Sequence, residues 1–86
     1  MSRLLLLTAE DCHLCDHGRQ VLDKLAGEGL VSWRDVDADS DEGLTLAALA
    51  PPLRPVLFAP HRHVIAYGRL SEKRLRKQLT LEGVSK

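Results

Sequence analysis

Two cysteines, Cys12 and Cys15, are the most reactive side chains in this 86-residue sequence, and their spacing is C-x-x-C. Residues three apart on a helical turn lie about 5 to 6 Å apart, within reach of disulfide geometry. The pair can therefore be oxidised and reduced with little backbone movement. A helix N-terminus supplies partial positive charge that stabilises a thiolate. We expect Cys12, the outermost on that turn, to attack a substrate disulfide, and Cys15 to resolve the mixed disulfide.

Two other interpretations of the cysteine pair are open from the residues alone. The cysteines could be inert and buried, although the polar loop in front of Cys12 argues against that. They could also bind zinc together with one or two histidines, yet a second C-x-x-C or an H-x₃₋₅-H pair is missing, so we predict no metal site. The candidate histidine ligands would be His17, His61 and His63. The last two would share one side of an extended strand, with Arg62 on the other.

Charged residues surround the first cysteine. Glu10, Asp11 and Asp16 lie within four residues of Cys12, and nearby carboxylates raise the pKa of a thiol. Protonated His13 would act in the opposite direction, but an imidazole is ordinarily mostly neutral above about pH 6.5. We therefore treat Glu10, Asp11 and His13 as residues that modulate the reactivity of Cys12.

Length and composition exclude several classes of protein. A chain of 86 residues holds one domain, and its 44% hydrophobic content is that of a globular protein rather than a disordered one. Only three aromatic residues are present, Trp33, Phe58 and Tyr67, too few for modules that stack bases. The longest apolar run, Leu46 to Ala50, is far below the roughly 20 residues of a membrane span. We expect a cytoplasmic monomer, because two cysteines without a signal peptide indicate a reducing compartment, and we expect neither nucleic acid nor membrane as a partner.

The formal net charge of zero results from two opposite halves. Residues 1–43 carry a charge of −6 and residues 44–86 a charge of +6. The acidic stretch comprises Asp35, Asp37, Asp39, Asp41 and Glu42, and the basic stretch comprises Arg69, Lys73, Arg74, Arg76 and Lys77. They are either two solvated faces or include a positive surface that docks an acidic partner or an anionic small molecule.

Seven elements must position the cysteines. The apolar run before Thr8 predicts a buried strand; the helical spacing of Leu14, Val21, Leu22 and Leu25 predicts a helix from Cys12 to the glycines at 27 and 29. Gly18 inside it suggests close packing. A second strand is predicted over Leu30 to Val36. A second helix is predicted from about Ser40 to Ala50, with a capping box of Asp39 and Glu42 ahead of the apolar residues Leu44, Leu46, Ala47 and Leu49, and it is closed by Pro51 and Pro52. Strands over Val56 to Ala59 and His63 to Tyr67, with a turn near Pro60 to Arg62 between them, predict a hairpin. A third helix is predicted from Ser71 through Leu79, with Leu70 packing on Leu75.

The strand RLLLLT, the loop AED, Cys12-His13-Leu14-Cys15 at a helix start and Pro55 at the third strand together resemble the glutaredoxin branch of the thioredoxin fold. The motif is similar to that of small bacterial glutaredoxin-like proteins with C-H-L-C. The resemblance covers nearly the whole chain. It implies one glutaredoxin-like domain over residues 1–86, of α/β class and thioredoxin-like type, with the order β-α-β-α-β-β-α and a four-stranded mixed sheet flanked by three helices.

The resemblance also implies roles for residues far from the cysteines. Pro55 is similar to the cis-proline opposite the cysteines in that fold, where the preceding residue, here Arg54, pairs with an extended substrate; an ordinary trans proline at a strand start is the alternative. Gly68 and Ser71 match part of the turn that binds glutathione in glutaredoxins, although its acid is missing. Those proteins usually carry Lys where Ala9 stands. Cys12 is therefore expected to be less acidic than in a typical glutaredoxin.

Two functions from different classes follow. The first is a thiol-disulfide oxidoreductase that uses a redox-active Cys12/Cys15 couple, acts on protein disulfides or glutathione, and binds no resident cofactor, with glutathione as a co-substrate. Arg54, Pro55, Gly68 and Ser71 would shape its substrate groove. The second is a non-catalytic adaptor of the same fold, a redox-responsive binding module that docks a partner through its dipolar surface.

Overall fold

The computed structural model describes residues 3–50 and 54–82. Within them, four strands and three helices follow one another in the predicted order β-α-β-α-β-β-α. Their bounds are β1 Leu4–Thr8, α1 His13–Gly27, β2 Trp33–Asp37, α2 Asp41–Ala47, β3 Val56–Phe58, β4 Val64–Tyr67 and α3 Glu72–Glu82.

The strands form one mixed sheet in the order β2-β1-β3-β4. β1 and β2 run parallel, with Leu4 opposite Trp33, as the crossover through α1 requires. β3 pairs antiparallel with β1, and β4 pairs antiparallel with β3. The sequence prediction of two parallel strands followed by a hairpin is confirmed.

The hydrophobic core lies on both faces of the sheet because successive β1 residues point to opposite sides. Leu4 and Leu6 pack with apolar residues of α1 and α3, whereas Leu5 and Leu7 pack on the opposite side with α2. The α1–α3 face also contains Val21, Leu22, Leu25, Val31, Leu57, Leu70 and Leu75, and the α2 face contains Val36, Leu46, Val56 and Phe58. The fold is thus a three-layer α/β/α arrangement of thioredoxin-like type, with a four-stranded mixed sheet between its helices.

The predicted second strand, Leu30 to Val36, was placed too early. β2 begins at Trp33 because its partner β1 begins at Leu4, and the ladder cannot extend beyond that pair. Residues 30–32 instead lead into the strand, where the carbonyl of Ser32 accepts a hydrogen bond from the Leu4 amide at 2.8 Å. Val31 still reaches the core from this segment.

The predicted second helix, about Ser40 to Ala50, was too long, and its capping box was wrong. Ser40, not Asp39, is the N-cap, since its side chain accepts from the amide of Gly43 at 3.0 Å. The carboxylate of Glu42 binds Arg34 on β2 instead of the helix start. The helix ends at Ala47, and its predicted apolar face buries Leu46 while leaving Leu44 and Leu49 exposed. Pro51 and Pro52, which were expected to close it, lie outside the described residues.

The first and third helices follow the sequence more closely. Cys12 caps α1, which ends at Gly27, and Gly29 adopts a φ of 77° just beyond it. Leu14 was expected on the buried face but is 41% exposed; Gly18 is buried in its place. At α3, the Ser71 hydroxyl accepts from the Arg74 amide at 3.4 Å, and both Leu70 and Leu75 are buried as predicted.

Ion pairs cross between the acidic and basic halves of the chain. Arg76 on α3 pairs with Glu28 after α1 and with Glu72, which also binds Lys24. Hydrogen bonds from Arg76 lower the pKa of both glutamates. Arg76 of the basic stretch is therefore ion-paired, whereas Lys73, Arg74 and Lys77 of the same stretch are exposed.

None of the helices in the described residues combines the length and apolar character that crossing a bilayer requires.

Candidate active site

The strand register brings three segments that are distant in sequence to the same end of the sheet, where β1 ends, β3 begins and β4 ends. Leu7 near the end of β1 pairs with Val56 at the start of β3, and Val56 pairs with Tyr67 at the end of β4. The residues just beyond these positions are the loop before Cys12, Pro55 and Gly68. The three parts of the predicted site therefore emerge side by side.

Cys12 and Cys15 form a disulfide with a Cα–Cα separation of 5.1 Å. The Cys12 sulfur caps α1 and accepts a hydrogen bond from the Cys15 amide at 3.1 Å. Cys12 is half-buried, whereas Cys15 is fully buried among the residues beneath the helix. The arrangement offers one accessible sulfur and one that only its neighbour can reach.

The Arg54–Pro55 peptide bond is cis, as the resemblance implied. Pro55 is buried, and the Arg54 carbonyl oxygen lies 4.0 Å from the Cys12 sulfur. Pro55 also packs closely against α1: a Cβ built on Gly18 would lie 3.4 Å from Cγ of Pro55 and 3.0 Å from Cδ1 of Leu70. The close packing expected at Gly18 is confirmed, and it fixes α1 against the two segments that complete the site.

Gly68 precedes a segment that, with α1 and the start of α3, lines a cleft containing Ser71. The Gly68 amide donates to the Pro55 carbonyl at 2.8 Å, and Gly68 has a φ of 71°, a backbone conformation that favours glycine. The ring of His17 lies with Nε2 3.1 Å from the Leu70 carbonyl oxygen. The cleft is lined by His17, Val21, Arg69, Leu70, Ser71, Glu72 and Arg74. Gly68 thus holds the Pro55 backbone, while exposed Ser71 faces the cleft beside two arginines.

Sequence reasoning considered His17 only as a zinc ligand, and the structure gives it another place. Its ring joins α1 to the segment that leads into α3. The His-to-backbone contact spans 53 positions, so no local pattern could have predicted it.

The loop in front of the disulfide is acidic, as predicted. Glu10, Asp11 and His13 are all exposed, and Asp11 has a φ of 52°. Asp11, His13 and Cys12 line one cavity together with Ala9, Glu10, Asp16 and Arg19. The three residues predicted to modulate Cys12 therefore line the same cavity as Cys12.

A polar network behind this loop was missed from the sequence. The buried Thr8 hydroxyl donates to Asp35 at 2.6 Å, and Arg19 donates to Asp35 at 2.6 Å and to Asp16 at 2.7 Å. The hydrogen bond to Asp35 raises the pKa of the Arg19 guanidinium. The spacing of Asp16 and Arg19 signals a helical pair, but the link to Asp35 depends on the parallel register of β1 and β2.

His61 and His63 lie together in the β3–β4 turn, away from the cysteines in the chain and both exposed. Their rings are in contact, and the segment is a turn, as the sequence predicts, with Arg62 at a φ of 68°. Across residues 3–50 and 54–82, no three side chains of the types His, Cys, Asp and Glu converge as a metal site would require.

Comparison with known protein families identifies the family to which the chain belongs. Residues 3–80 match the family described as "Glutaredoxin-like domain (DUF836)". The chain belongs to this glutaredoxin-like family. The match includes Cys12, Cys15, Arg54, Pro55, Gly68 and Ser71, and the Cys12–Cys15 disulfide fits a thiol redox role.

Other comparisons of this glutaredoxin-like chain concern curated proteins and solved structures. No curated protein matches it. A solved structure described as "Structure of a malarial protein" is similar, with a TM-score of 0.71 and 18% sequence identity over 94% of this chain and 96% of the other. At that identity the likeness shows the fold alone, and it agrees with the thioredoxin-like architecture.

Proposed function

We propose that this glutaredoxin-like domain is a thiol-disulfide oxidoreductase that cycles between a Cys12/Cys15 dithiol and the disulfide. The observation that carries the proposal is the unequal exposure of the two sulfurs at the start of one helix. A purely structural disulfide does not need a sulfur that solvent or a partner can reach, whereas thiol-disulfide exchange with a second molecule requires one.

Cys12 is the attacking residue. Its sulfur sits at the N-terminus of a 15-residue helix and accepts the Cys15 amide at 3.1 Å. Both the helix dipole and this hydrogen bond stabilise a negative charge on sulfur. Only a thiolate attacks a disulfide effectively, so these contacts support reaction at Cys12.

Cys15 is the resolving residue. In the reductive direction, the Cys12 thiolate attacks one sulfur of a substrate disulfide, forms a mixed disulfide and expels one substrate thiolate. Cys15 then loses its proton to solvent and attacks the Cys12 sulfur, which breaks the mixed disulfide and expels the second thiolate. Two electrons pass from the dithiol to the substrate. A thiol reductant such as glutathione restores the dithiol by the reverse exchange.

The substrate lies across Arg54 and Pro55 in this proposal. The Arg54 carbonyl is 4.0 Å from the Cys12 sulfur, which suits it to accept a hydrogen bond from the backbone of an extended peptide or of glutathione. Gly68 supports this position through its bond to Pro55. Ser71, with the free amides at the start of α3, offers donors to a substrate carboxylate. Glutathione is thereby a co-substrate rather than a resident cofactor.

The test uses wild type and two single variants, Cys12→Ser and Cys15→Ser. Each protein is reduced, mixed with glutathione disulfide, alkylated and weighed, and its reduction of a mixed disulfide is then followed with glutathione as the electron donor. Wild type should form the internal disulfide and turn over. Cys15→Ser should retain one glutathione, and Cys12→Ser should form neither product at a comparable rate because its remaining thiol is buried.

Two results would contradict the proposal. Preferential modification of Cys15 in the folded protein would reverse the assigned roles. Oxidation of the cysteines without any turnover would instead favour the non-catalytic adaptor, a redox-responsive binding module of the same fold. Comparing partner capture by the oxidised and reduced forms would then measure that second function.

A further inference from the structure

The surface on one side of Cys12 is strongly acidic. Two cavities meet there, because both are lined by Ala9, Glu10 and Arg19. The first also contains Cys12, and the second extends towards the end of β2. We call their joint surface the acidic groove; its carboxylates are those of Glu10, Asp11, Asp16, Asp35 and Asp37.

The cation in the acidic groove offsets only one of these five negative charges. Arg19 is the one guanidinium against five carboxylates, and it is held by Asp16 at 2.7 Å and by Asp35 at 2.6 Å. Both bonds direct its charge towards the protein's own acids. The remaining side chain of the first cavity besides these residues, Ala9 and Cys12 is His13.

The cations of the opposite cleft are separated from this groove. Arg69 and Arg74 line the cleft with His17 and Ser71, and that cleft contains neither cysteine. A substrate that reaches Cys12 from the loop side therefore meets carboxylates.

We infer that Cys12 selects disulfides that carry positive charge next to the reacting sulfur, namely protein or peptide disulfides flanked by Lys or Arg. This inference rests on the proposed oxidoreductase function and specifies its substrate class. Anionic disulfides are disfavoured on the same side. The reactive site is the disulfide itself, and the acidic groove sets which partner approaches it.

The size of the effect follows from Coulomb's law. A unit charge about 7 Å from a carboxylate in water changes an association constant by about threefold at low salt. Glu10, Asp11 and Asp16 line the cavity with Cys12, and Arg19 offsets one of them. Reversing the sign of one substrate charge should therefore change the rate by at least about tenfold at low salt, and screening should remove most of that difference at about 0.5 M salt.

The experiment measures how fast the reduced protein reacts with three small disulfides at about pH 8. The probes are cystamine, which carries two ammonium groups, bis(2-hydroxyethyl) disulfide, which is neutral, and 3,3′-dithiodipropionate, which carries two carboxylates. Because leaving thiols differ in intrinsic reactivity, each rate is divided by the rate of the same probe with free 2-mercaptoethanol. The chemical step is the exchange at Cys12 followed by closure with Cys15.

The test variant is Glu10→Gln/Asp11→Asn. Both substitutions should leave the fold intact, because the two positions are exposed and Asn tolerates the positive φ at position 11. The control variant is Asp23→Asn/Asp39→Asn, which changes the net charge by the same amount as the test variant. Asp23 lies eleven residues along the chain from Cys12, which corresponds to about 16 Å along a helix. The cystamine-to-dithiodipropionate ratio cancels any change in the nucleophile itself. We expect a wild-type ratio of at least about 10, a ratio lowered about fivefold or more in the test variant, and no change in the control.

Matched peptide disulfides extend the test to the proposed class. Two peptides of equal length, one with Lys and one with Glu beside the cysteine, should show the same order. Equal normalised rates for all probes, or a ratio unaffected by Glu10→Gln/Asp11→Asn, would overturn the charge selection while leaving the redox function intact. Failure to react with any probe, including the neutral one, would instead refute the proposed function and the inference with it.

Discussion

Replacing Gly18 by alanine tests the packing that joins α1 to Pro55 and Leu70. Alanine favours a helix interior over glycine by about 1 kcal/mol, so the local effect alone is stabilising. The new Cβ would lie 3.0 Å from Cδ1 of Leu70 and 3.4 Å from Cγ of Pro55, closer than the roughly 3.5 to 4.0 Å of a good carbon contact.

The steric cost should exceed the helical gain. Leu70 and Pro55 are both buried, so neither can move aside into solvent, and overpacking of a core costs typically about 1 to 3 kcal/mol. We expect Gly18→Ala to lower the free energy of unfolding by about 1 kcal/mol. Gly18→Val adds two methyl groups at the same point and should lower it by about 3 kcal/mol.

The same helix provides a matched control. Gly27 is exposed, and a Cβ built there meets nothing within 4 Å. Gly27→Ala should therefore raise stability by up to about 1 kcal/mol. Urea unfolding of the oxidised proteins, analysed with a common slope, measures all three variants. If Gly18→Ala proved as stable as Gly27→Ala, close approach would not be the reason for a glycine at position 18.

Two further variants test other parts of the fold. Gly43→Ala should cost at least about 2 kcal/mol in urea unfolding, because the Cβ would collide with backbone atoms of Asp37 and Ala38 that cannot give way; a loss no larger than that of Gly18→Ala would refute this. Hydrogen bonds from Arg76 and Lys24 lower the pKa of Glu72. Ionised Glu72 therefore stabilises the folded protein above the ordinary glutamate pKa near 4.3. This stabilisation is lost as the pH falls through the lowered pKa of the folded state. Glu72→Gln should therefore reduce the fall of the melting temperature as the pH drops in the acid range, whereas Asp23→Asn should not. If Glu72→Gln left this pH dependence of the melting temperature unchanged, the pairing would be contradicted.

Much of the fold was predictable from local patterns. The leucine run of β1 is a strong sequence signal because all five residues of the strand are buried. The apolar spacing of α1 is a strong signal because one face of the helix packs into the core. The N-cap at Ser71 and the burial of Leu70 and Leu75 also followed from the sequence. These features depend on neighbours a few residues away, which a single sequence contains.

The errors arose where partners distant in sequence decide the outcome. The start of β2 depends on where β1 begins, and Leu30 continues an apolar pattern past that limit. Glu42 has the right spacing for a capping box, but Arg34 on β2 competes for its carboxylate. The shortness of α2 follows from its single buried leucine, Leu46, which the pattern of leucines did not distinguish from the exposed ones.

The candidate site shows the same division. Cys12 and Cys15 were recognisable from spacing, and the helix start explains which sulfur is accessible. The Arg54 carbonyl comes within 4.0 Å of Cys12 only through the pairing of β1 with β3. Thr8, Arg19 and Asp35 meet through the parallel register, which no local motif encodes.

The sheet order divides the site between two parts of the chain. The Cys12–Cys15 pair and the acidic groove belong to residues 4–47, whereas the residues predicted to bind substrate, Arg54, Pro55, Gly68 and Ser71, belong to residues 54–82. Under the proposed function, the sulfur chemistry with its acidic groove can therefore diverge independently of the surface around Pro55, provided that the contact of Gly18 with Pro55 and Leu70 is kept. Hybrid domains that join the first part of one family member to the second part of another would keep Cys12 and its acidic groove while exchanging the residues around Pro55.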